Sequence, residues 1–122
     1  MYEILIKSDF SSAHNLRGYR GRCERLHGHN WKVDARFETA ALNNIGISVD
    51  FKVLKSKLKS ILKRLDHTYL NRISAFKRKN PSAENIAKYI FKELKSSLKS
   101  KDFFVKSVSV WESDASCATY YD

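Results

Sequence analysis

Residues 27–38, HGHNWKVDARFE, alternate between two kinds of side chain, and this alternation constrains the fold more than any other stretch. The even positions from Asn30 to Glu38 are all polar or charged, whereas the odd positions hold His27, His29, Trp31, Val33, Ala35 and Phe37. A period of two is the geometry of a β-strand, whose successive side chains point to opposite faces. We therefore predict a half-buried strand of an antiparallel sheet, with a polar face and with both histidines on the apolar face.

Other segments supply partners for this strand. The even positions from Ile4 onward, which include Ile6, Ser8, Phe10, Ser12 and His14, share one face of a preceding strand. Two later segments, FFVKSVSVWES and SCATYY, are rich in Val, Phe, Trp and Tyr and predict two further strands. No repeat or linker interrupts the chain, so we expect a single domain over residues 1–122.

Between the strand pairs, apolar residues recur at helical spacing over residues 50–65 and again over residues 82–99. The stripe comprises Phe51, Leu54, Leu58, Ile61, Leu62 and Leu65 in the first segment and Ile86, Ile90, Leu94 and Leu98 in the second. In NPSAEN, Asn80 is a candidate cap, Pro81 suits the first helical position and Glu84 complements the helix dipole. The element order predicts an α+β fold with two helices on one face of a four-stranded antiparallel sheet.

Composition narrows the class of protein. The formal charge of +10 suggests a nucleic-acid ligand, but many lysines alternate with the apolar helical stripe, which is typical of a solvated helix face. We therefore do not expect nucleic-acid binding, and a small polyanionic ligand accounts for a local basic patch equally well. The segment MYEILIKSDF contains Glu3 and no long apolar run, so we expect neither a signal peptide nor a membrane span, and a cytoplasmic location.

His14, His27 and His29 form a candidate metal site. Two residues apart on a strand, His27 and His29 point the same way with Cα atoms about 6.5–7 Å apart. Antiparallel pairing of the two strands would bring His14 beside them. Three imidazoles with a free fourth position are typical of catalytic zinc, whereas structural zinc has four protein ligands. The alternative is that these histidines are half-buried side chains bonded to backbone groups.

Cys23 lies among Arg20, Arg22 and Arg25, and nearby positive charge favours the reactive thiolate. The thiol is a candidate base or nucleophile, and a fourth zinc ligand in a closed site is the alternative. Glu24 beside it is compatible with a solvated loop charge. Cys117 in SCATYY is expected to be a packing residue.

Asp66, His67 and Glu112 are further candidates. A carboxylate that orients an imidazole makes a general acid or base, although a histidine at the C-terminal end of a helix also interacts favourably with the dipole. Val108, Val110 and Glu112 share a strand face, which directs this carboxylate toward the apolar side. Glu112 therefore needs an internal Arg or Lys, or a ligand with paired N–H donors.

The segments FSSAHNL, CERLHGHNW, VDF, LDHTYLN, NPSAENIA and WES, taken in order, resemble the family of 6-pyruvoyl-tetrahydropterin and 6-carboxytetrahydropterin synthases. The resemblance covers nearly the whole chain and implies the tunnelling fold. It implies a zinc-dependent carbon–oxygen and carbon–carbon lyase that acts on a dihydropterin triphosphate. The implied site is zinc on His14, His27 and His29, catalysis by Cys23, Asp66 and His67, and substrate binding by Glu112, Ser82 and Glu84.

The spacing between the cysteine and His-Gly-His separates subgroups of this family. Three residues, here ERL, are similar to the 6-carboxytetrahydropterin synthases of the queuosine and 7-deazapurine pathway, whereas the animal 6-pyruvoyl enzymes have a longer spacing. A third subgroup cleaves the side chain of dihydroneopterin toward folate with a glutamate separated from His-Gly-His by two residues, and Glu24 occupies that place. The chain thus resembles a 6-carboxytetrahydropterin synthase, with 6-pyruvoyl synthesis and side-chain cleavage as alternatives.

The resemblance also implies assembly. Four strands cannot close a barrel alone, and the free edges need pairing or cover. The family joins the sheets of several subunits into a barrel, stacked as a dimer of trimers, in which Asp66 and His67 face a neighbour's zinc. A zinc-stabilised basic binding module without catalysis is the alternative from another functional class.

Overall fold

Four strands and two helices follow one another in the order that the sequence predicts. The structure is a computed structural model that describes residues 1–21 and 24–122. The elements are β1 (Tyr2–His14), β2 (His27–Thr39), α1 (Phe51–Lys63), α2 (Ala83–Ser97), β3 (Phe103–Ser113) and β4 (Ser116–Tyr120). The strands form one antiparallel sheet in the order β1-β2-β3-β4, so the predicted α+β architecture is confirmed.

The register between β1 and β2 aligns the faces that the alternation predicts. His14 lies opposite His27, Ser12 opposite His29 and Phe10 opposite Trp31. Side chains directly opposite in an antiparallel pair lie on the same face. The core-facing side of both strands therefore ends in a cluster of three histidines.

The helices lie on the face of the sheet that carries these side chains. Helix α1 packs against β1, and α2 packs against β3 and β4. The alternating face of β2 is closed from solvent, because Trp31, Val33, Ala35 and Phe37 have no exposed surface. The stripes of α1 and α2 meet this face through Leu54, Leu58, Ile61, Leu62, Ile86, Ile90 and Leu94. None of the helices among the described residues is both long and apolar enough to cross a membrane.

Two helical details differ from the prediction. Phe51 is the first residue of α1 and is 57% exposed, because the contact of this helix with the core begins a turn later at Leu54. Asn80 does not cap α2, which begins at Ala83 with Ser82 as its cap. The side chain of Asn80 is instead engaged with the backbone of Arg17, 63 residues away in sequence.

Two strand details also differ. Asp34 belongs to the predicted polar face of β2, but it is buried. The Trp111 indole donates to Asp34 at 3.2 Å and Lys7 lies 3.6 Å away, so side chains of both neighbouring strands cover this carboxylate. Cys117 was expected to pack but is exposed, because it lies on an edge strand while its neighbour Ala118 pairs with the buried Val110.

Candidate metal centre

The nitrogen atoms of three histidines converge at the end of the β1–β2 pair. The Nε2 atoms of His14 and His27 are 2.9 Å apart, and the ring centroids of His27 and His29 are 4.7 Å apart. The potential ligand atoms of these histidines and of Glu112 all lie within 4.8 Å of one another. Strand pairing alone produces this arrangement, since the three residues are neighbours on one face.

Backbone carbonyls fix which nitrogen of His14 and His27 faces the cluster. His14 Nδ1 lies 2.7 Å from the carbonyl oxygen of Pro81, and His27 Nδ1 lies 2.7 Å from that of Arg25. A carbonyl can only accept, so each Nδ1 carries the hydrogen and donates it. In the neutral rings Nε2 is then left with a lone pair, and two lone pairs face each other at 2.9 Å unless a cation lies between them.

His29 has an equally unsatisfied nitrogen. Its Nε2 is buried and makes no hydrogen bond among the described residues. Glu112 Oε1 lies 2.9 Å away, a distance typical of an ion pair, but the contact lacks hydrogen-bond geometry. Burial lowers the pKa values of His14 and His29 below the usual range, although the Glu112 carboxylate acts in the opposite direction. This direction favours the neutral form of both rings, which is the form of imidazole that binds metals.

This donor set fits a zinc ion. Zinc takes imidazole nitrogens at about 2.0–2.1 Å in a tetrahedron, which places neighbouring donors about 3.4 Å apart. The spread of the cluster up to 4.8 Å brackets that value. The hydrogen-bonded Nδ1 atoms match the usual second partner of a metal-bound histidine. The alternative of histidines bonded only to backbone leaves the converging Nε2 atoms without a partner.

Glu112 is also a member of this cluster, although the sequence did not predict it there. Its Oε1 is 2.9 Å from His29 Nε2 and 3.5 Å from His14 Nε2. The Val108–Val110–Glu112 alternation correctly places Glu112 on the core face. The partners it contacts are imidazoles, whereas the predicted partner was an internal Arg or Lys, or a ligand with paired N–H donors. The contact between Glu112 and the histidines depends on the register of β3 on β2, which the sequence does not show. In this register Val33 lies opposite Val110 and Lys32 opposite Trp111.

Trp31 forms the inner wall of the cluster. Its ring meets those of His14 and His29 edge to face, with centroids 4.9 and 5.0 Å apart, and stacks on Phe10 at 5.9 Å. The indole nitrogen donates to Ser12 O at 3.4 Å. An apolar wall without solvent access keeps the imidazoles in place and strengthens electrostatic interactions at the site.

The Asp66–His67 pair is built as predicted but does not join the histidine cluster. Asp66 Oδ2 lies 2.9 Å from His67 Nδ1, so the carboxylate orients the imidazole. Asp66 Oδ1 accepts from the Ser11 backbone N–H at 2.8 Å, and this bond is the main cause that lowers the pKa of Asp66. The His67 side chain is 84% exposed, and the ligand-atom cluster found among the described residues does not include it.

The backbone of His67 is strained. Its φ of 53° lies in the left-handed region, which costs a residue with a side chain about 1–2 kcal/mol. Two backbone hydrogen bonds to the edge of β1 stabilise this conformation. His67 N donates to Ser11 O at 2.6 Å, and Ala13 N donates to Thr68 O at 3.0 Å. Such strain is often found at functional positions.

The remaining predicted site residues are Cys23, Glu24, Ser82 and Glu84. Cys23 lies outside the described residues. Glu24 is exposed, and its backbone N–H bonds to Gly21 O at 3.3 Å. Ser82 accepts from the backbone N–H of Asn85 as the cap of α2, and Glu84 is exposed in the first turn of this helix.

Comparison with known proteins identifies the family. The sequence profile described as 6-pyruvoyl tetrahydropterin synthase matches residues 3–122. A Synechocystis protein named 6-carboxy-5,6,7,8-tetrahydropterin synthase is 34% identical over 127 residues, which cover 99% of this chain and 94% of the relative. A Pyrococcus furiosus protein named dihydroneopterin monophosphate aldolase is 32% identical and covers 89% of this chain and 88% of its own.

A solved structure gives the same result for the fold. The Caenorhabditis elegans 6-pyruvoyl tetrahydropterin synthase superposes with a TM-score of 0.89 over 99% of this chain and 95% of its own, at 24% identity. The fold is therefore the predicted one, and the family is an enzyme family that acts on pterins. With the profile spanning almost every residue, this chain belongs to the 6-pyruvoyl tetrahydropterin synthase family.

Proposed function

We propose that this protein is a zinc-dependent 6-carboxytetrahydropterin synthase. The substrates would be 7,8-dihydroneopterin triphosphate and one water molecule, and the products 6-carboxytetrahydropterin, acetaldehyde and triphosphate. The observation that carries the proposal is the convergence of three imidazoles, of which His14 and His27 turn Nε2 to each other at 2.9 Å and His29 Nε2 is buried beside the Glu112 carboxylate without a hydrogen bond. Within a pterin-processing family, relatives named 6-carboxy-5,6,7,8-tetrahydropterin synthase support the choice of reaction.

The residues of the cluster would hold the metal and the substrate in fixed positions. Zinc bound to His14, His27 and His29 would act as a Lewis acid toward the side-chain oxygens of the substrate. The carbonyl oxygens of Pro81 and Arg25 would keep the imidazoles in the metal-binding tautomer. Burial, which lowers the pKa values of His14 and His29, would favour the form of these two rings that binds a metal.

Proton transfer would be divided between two groups. Cys23 would remove a proton from the side-chain carbon, helped toward the thiolate by the neighbouring arginines. His67, oriented by Asp66 at 2.9 Å, would return a proton on the other side. Glu112 would accept hydrogen bonds from the N–H groups of the pterin ring, as the family resemblance implies. Ser82 and Glu84 stay proposed substrate contacts, and for Ser82 the hydroxyl is also used as a helix cap.

The deciding experiment is incubation of purified, zinc-loaded protein with 7,8-dihydroneopterin triphosphate, with products read by mass spectrometry. Formation of 6-carboxytetrahydropterin and acetaldehyde is expected. A variant with His14, His27 and His29 all changed to alanine should lose zinc and product together. Cys23→Ala should keep zinc and lose product, whereas loss of zinc from Cys23→Ala would favour a closed four-ligand site. Bound zinc without any pterin product would favour the non-catalytic binding module.

Cleavage of the dihydroneopterin side chain through Glu24 is a second candidate. The Pyrococcus furiosus relative named dihydroneopterin monophosphate aldolase supports it at 32% identity over most of both chains. The exposed position of Glu24 leaves its carboxylate free to reach a bound ligand. If this reaction occurs, Cys23→Ala should still form 6-hydroxymethyl-dihydropterin and Glu24→Ala should not. Absence of that product from the unchanged protein would contradict the second activity.

We also propose that the active site is completed by a second subunit in a homo-oligomer, with a dimer of trimers as the expected form. The exposed ring of His67 lies beside the edge of β1, to which His67 and Thr68 bond near Ser11 and Ala13, and β1 and β4 are the two outer strands of the sheet. Light scattering should give an oligomeric mass. Mixing inactive Cys23→Ala and His67→Ala subunits should restore part of the activity if His67 serves a neighbour's site. A fully active monomer would contradict the assembly. We also propose a cytoplasmic location and, as the family resemblance implies, a role in queuosine and 7-deazapurine synthesis.

A further inference from the structure

We propose that Glu112 is the fourth protein ligand of the metal in the resting protein, and that binding of the pterin ring to this carboxylate opens the fourth coordination position. The inference rests on the proposed zinc-dependent function, since it concerns the same cluster. Glu112 would have two partners, the metal and the pterin ring, and it cannot bind both at the same time.

The contacts of Glu112 support the first half of the proposal. Its Oε1 is 2.9 Å from His29 Nε2 and 3.5 Å from His14 Nε2, so the carboxylate points at the place where the imidazole nitrogens converge. His29 Nε2 and Glu112 Oε1 approach to 2.9 Å although His29 Nε2 makes no hydrogen bond among the described residues. A cation shared between them accounts for the approach. One carboxylate also offsets part of the charge of a divalent ion that three neutral rings leave uncompensated.

The backbone around Glu112 supports the second half. Pairing of β2 with β3 ends at Lys32 and Trp111, so Glu112 lies one residue beyond the last paired position. On the other side, the register of β3 on β4 shifts between Trp111 and Ser113, which leaves Glu112 inside a bulge. Bulges re-aim a side chain and release the local ladder, and they are frequent beside active sites. The side chain of Glu112 is 37% exposed, so it has room to turn toward a ligand in solvent.

Competition between the two partners follows from the geometry of a carboxylate. Recognition of paired N–H donors on a pterin ring uses both carboxylate oxygens in a bidentate arrangement. A carboxylate that also ligates the metal has one oxygen committed. Binding of the ring would therefore exchange Glu112 for a solvent or substrate oxygen on the metal. Three histidines and an open position, the arrangement typical of catalytic zinc, would then exist only with the pterin bound.

Metal affinity tests the first half without any measurement of activity. The zinc affinities of the unchanged protein and of Glu112→Gln are compared by competition with a chromogenic chelator. Mutation of a residue that only hydrogen-bonds to a metal ligand typically weakens metal binding by about 10–100-fold. Loss of a direct ligand should weaken zinc binding by at least that factor. Glu93→Gln is the matched control, because Glu93 lies on α2 in an ion pair with Arg64 and makes the same change of charge. Glu112→Asp keeps the charge but shortens the reach, so it should bind zinc with intermediate affinity.

The possible results separate this inference from the proposed function. Equal zinc affinities of Glu112→Gln and Glu93→Gln would overturn the ligand assignment and leave the three-histidine zinc site intact. Failure of the unchanged protein to bind zinc would instead overturn the proposed function, and the inference with it. Thermal unfolding of the metal-free variants checks that a loss of affinity does not reflect a loss of fold.

Cobalt(II) substitution tests the exchange. The visible absorption of cobalt(II) reports its coordination, and 6-methylpterin offers the pterin ring without the side-chain hydroxyls that could bind the metal. Addition of 6-methylpterin should change the cobalt spectrum of the unchanged protein and leave that of Glu112→Gln unaltered. Binding of 6-methylpterin, measured by quenching of its fluorescence, without a spectral change would overturn the exchange. Absence of pterin binding to the unchanged protein would overturn it equally.

Discussion

Replacement of Trp31 by leucine is expected to weaken metal binding although Trp31 offers no metal ligand. The indole lies against His14 and His29, with ring centroids 4.9 and 5.0 Å away, and has no exposed surface. Without this wall both imidazoles can rotate in the metal-free protein, and binding of the ion must order them again. Each reordered side chain costs about 0.7 kcal/mol, so the two together cost about 1.4 kcal/mol, or a tenfold loss of zinc affinity.

The same substitution also destabilises the fold, and the two effects must be separated. A smaller apolar side chain in a packed core costs about 2 kcal/mol. For 122 residues the entropy of unfolding is about 0.26 kcal/mol/K, so the melting temperature should fall by about 8 °C. Phe37→Leu is the matched control, because Phe37 lies on the same face of β2, is equally buried and is remote from the three histidines.

The assay combines urea unfolding of the metal-free proteins with zinc competition against a chelator. Trp31→Leu and Phe37→Leu should lose similar unfolding free energies, and Trp31→Leu alone should lose about tenfold in zinc affinity. Equal zinc affinities for the two variants would refute the reasoning that the indole orders the imidazoles. A tenfold loss of zinc affinity in both variants would show that zinc affinity depends on overall stability and not on the contact of the indole with the imidazoles.

Three further predictions concern residues around the site. Ser82→Ala should lower the unfolding free energy by about 1 kcal/mol through loss of the α2 cap, with Ser82→Thr nearly unchanged; equal stability of Ser82→Ala would contradict the cap. Asp34→Leu should cost about 1–3 kcal/mol in urea unfolding because the Trp111 indole loses its acceptor, whereas Asp34→Asn should cost less. The Ser11 N–H holds the pKa of Asp66 below its ordinary 3.8, so this stabilisation is present above pH 3.8 and is lost as pH falls through the lower folded-state value. A carboxyl NMR titration of Asp66 with a midpoint at or above 3.8 would contradict this.

Local periodicity predicted the parts of this protein that depend on neighbours in the chain. The alternation from His27 to Phe37 correctly predicted a strand with its histidines on the buried face, because a period of two is a property of the strand itself. The helical stripes were correct for the same reason, with Phe51 as an exception at a helix end. The Asp66–His67 contact was also predictable, since the two residues are adjacent in sequence.

Contacts between distant segments decided what periodicity could not predict. The Pro81 carbonyl that fixes the tautomer of His14 is 67 residues from His14 in sequence. The Trp111 indole that donates to the buried Asp34 is 77 residues from Asp34. Neither contact leaves a local pattern, because hydrophobic alternation shows which face is buried but not which distant group covers it.

Glu112 shows the division most clearly. The sequence by itself determined that the carboxylate lies on the apolar face of β3, since Val108, Val110 and Glu112 alternate. The tertiary structure alone decided that the partner is a histidine cluster, because the register of β3 on β2 and the bulge before Ser113 set where that face ends. Register is a relation between two strands, fixed by the packing of the whole sheet, and so the strand that carries Glu112 could not specify it.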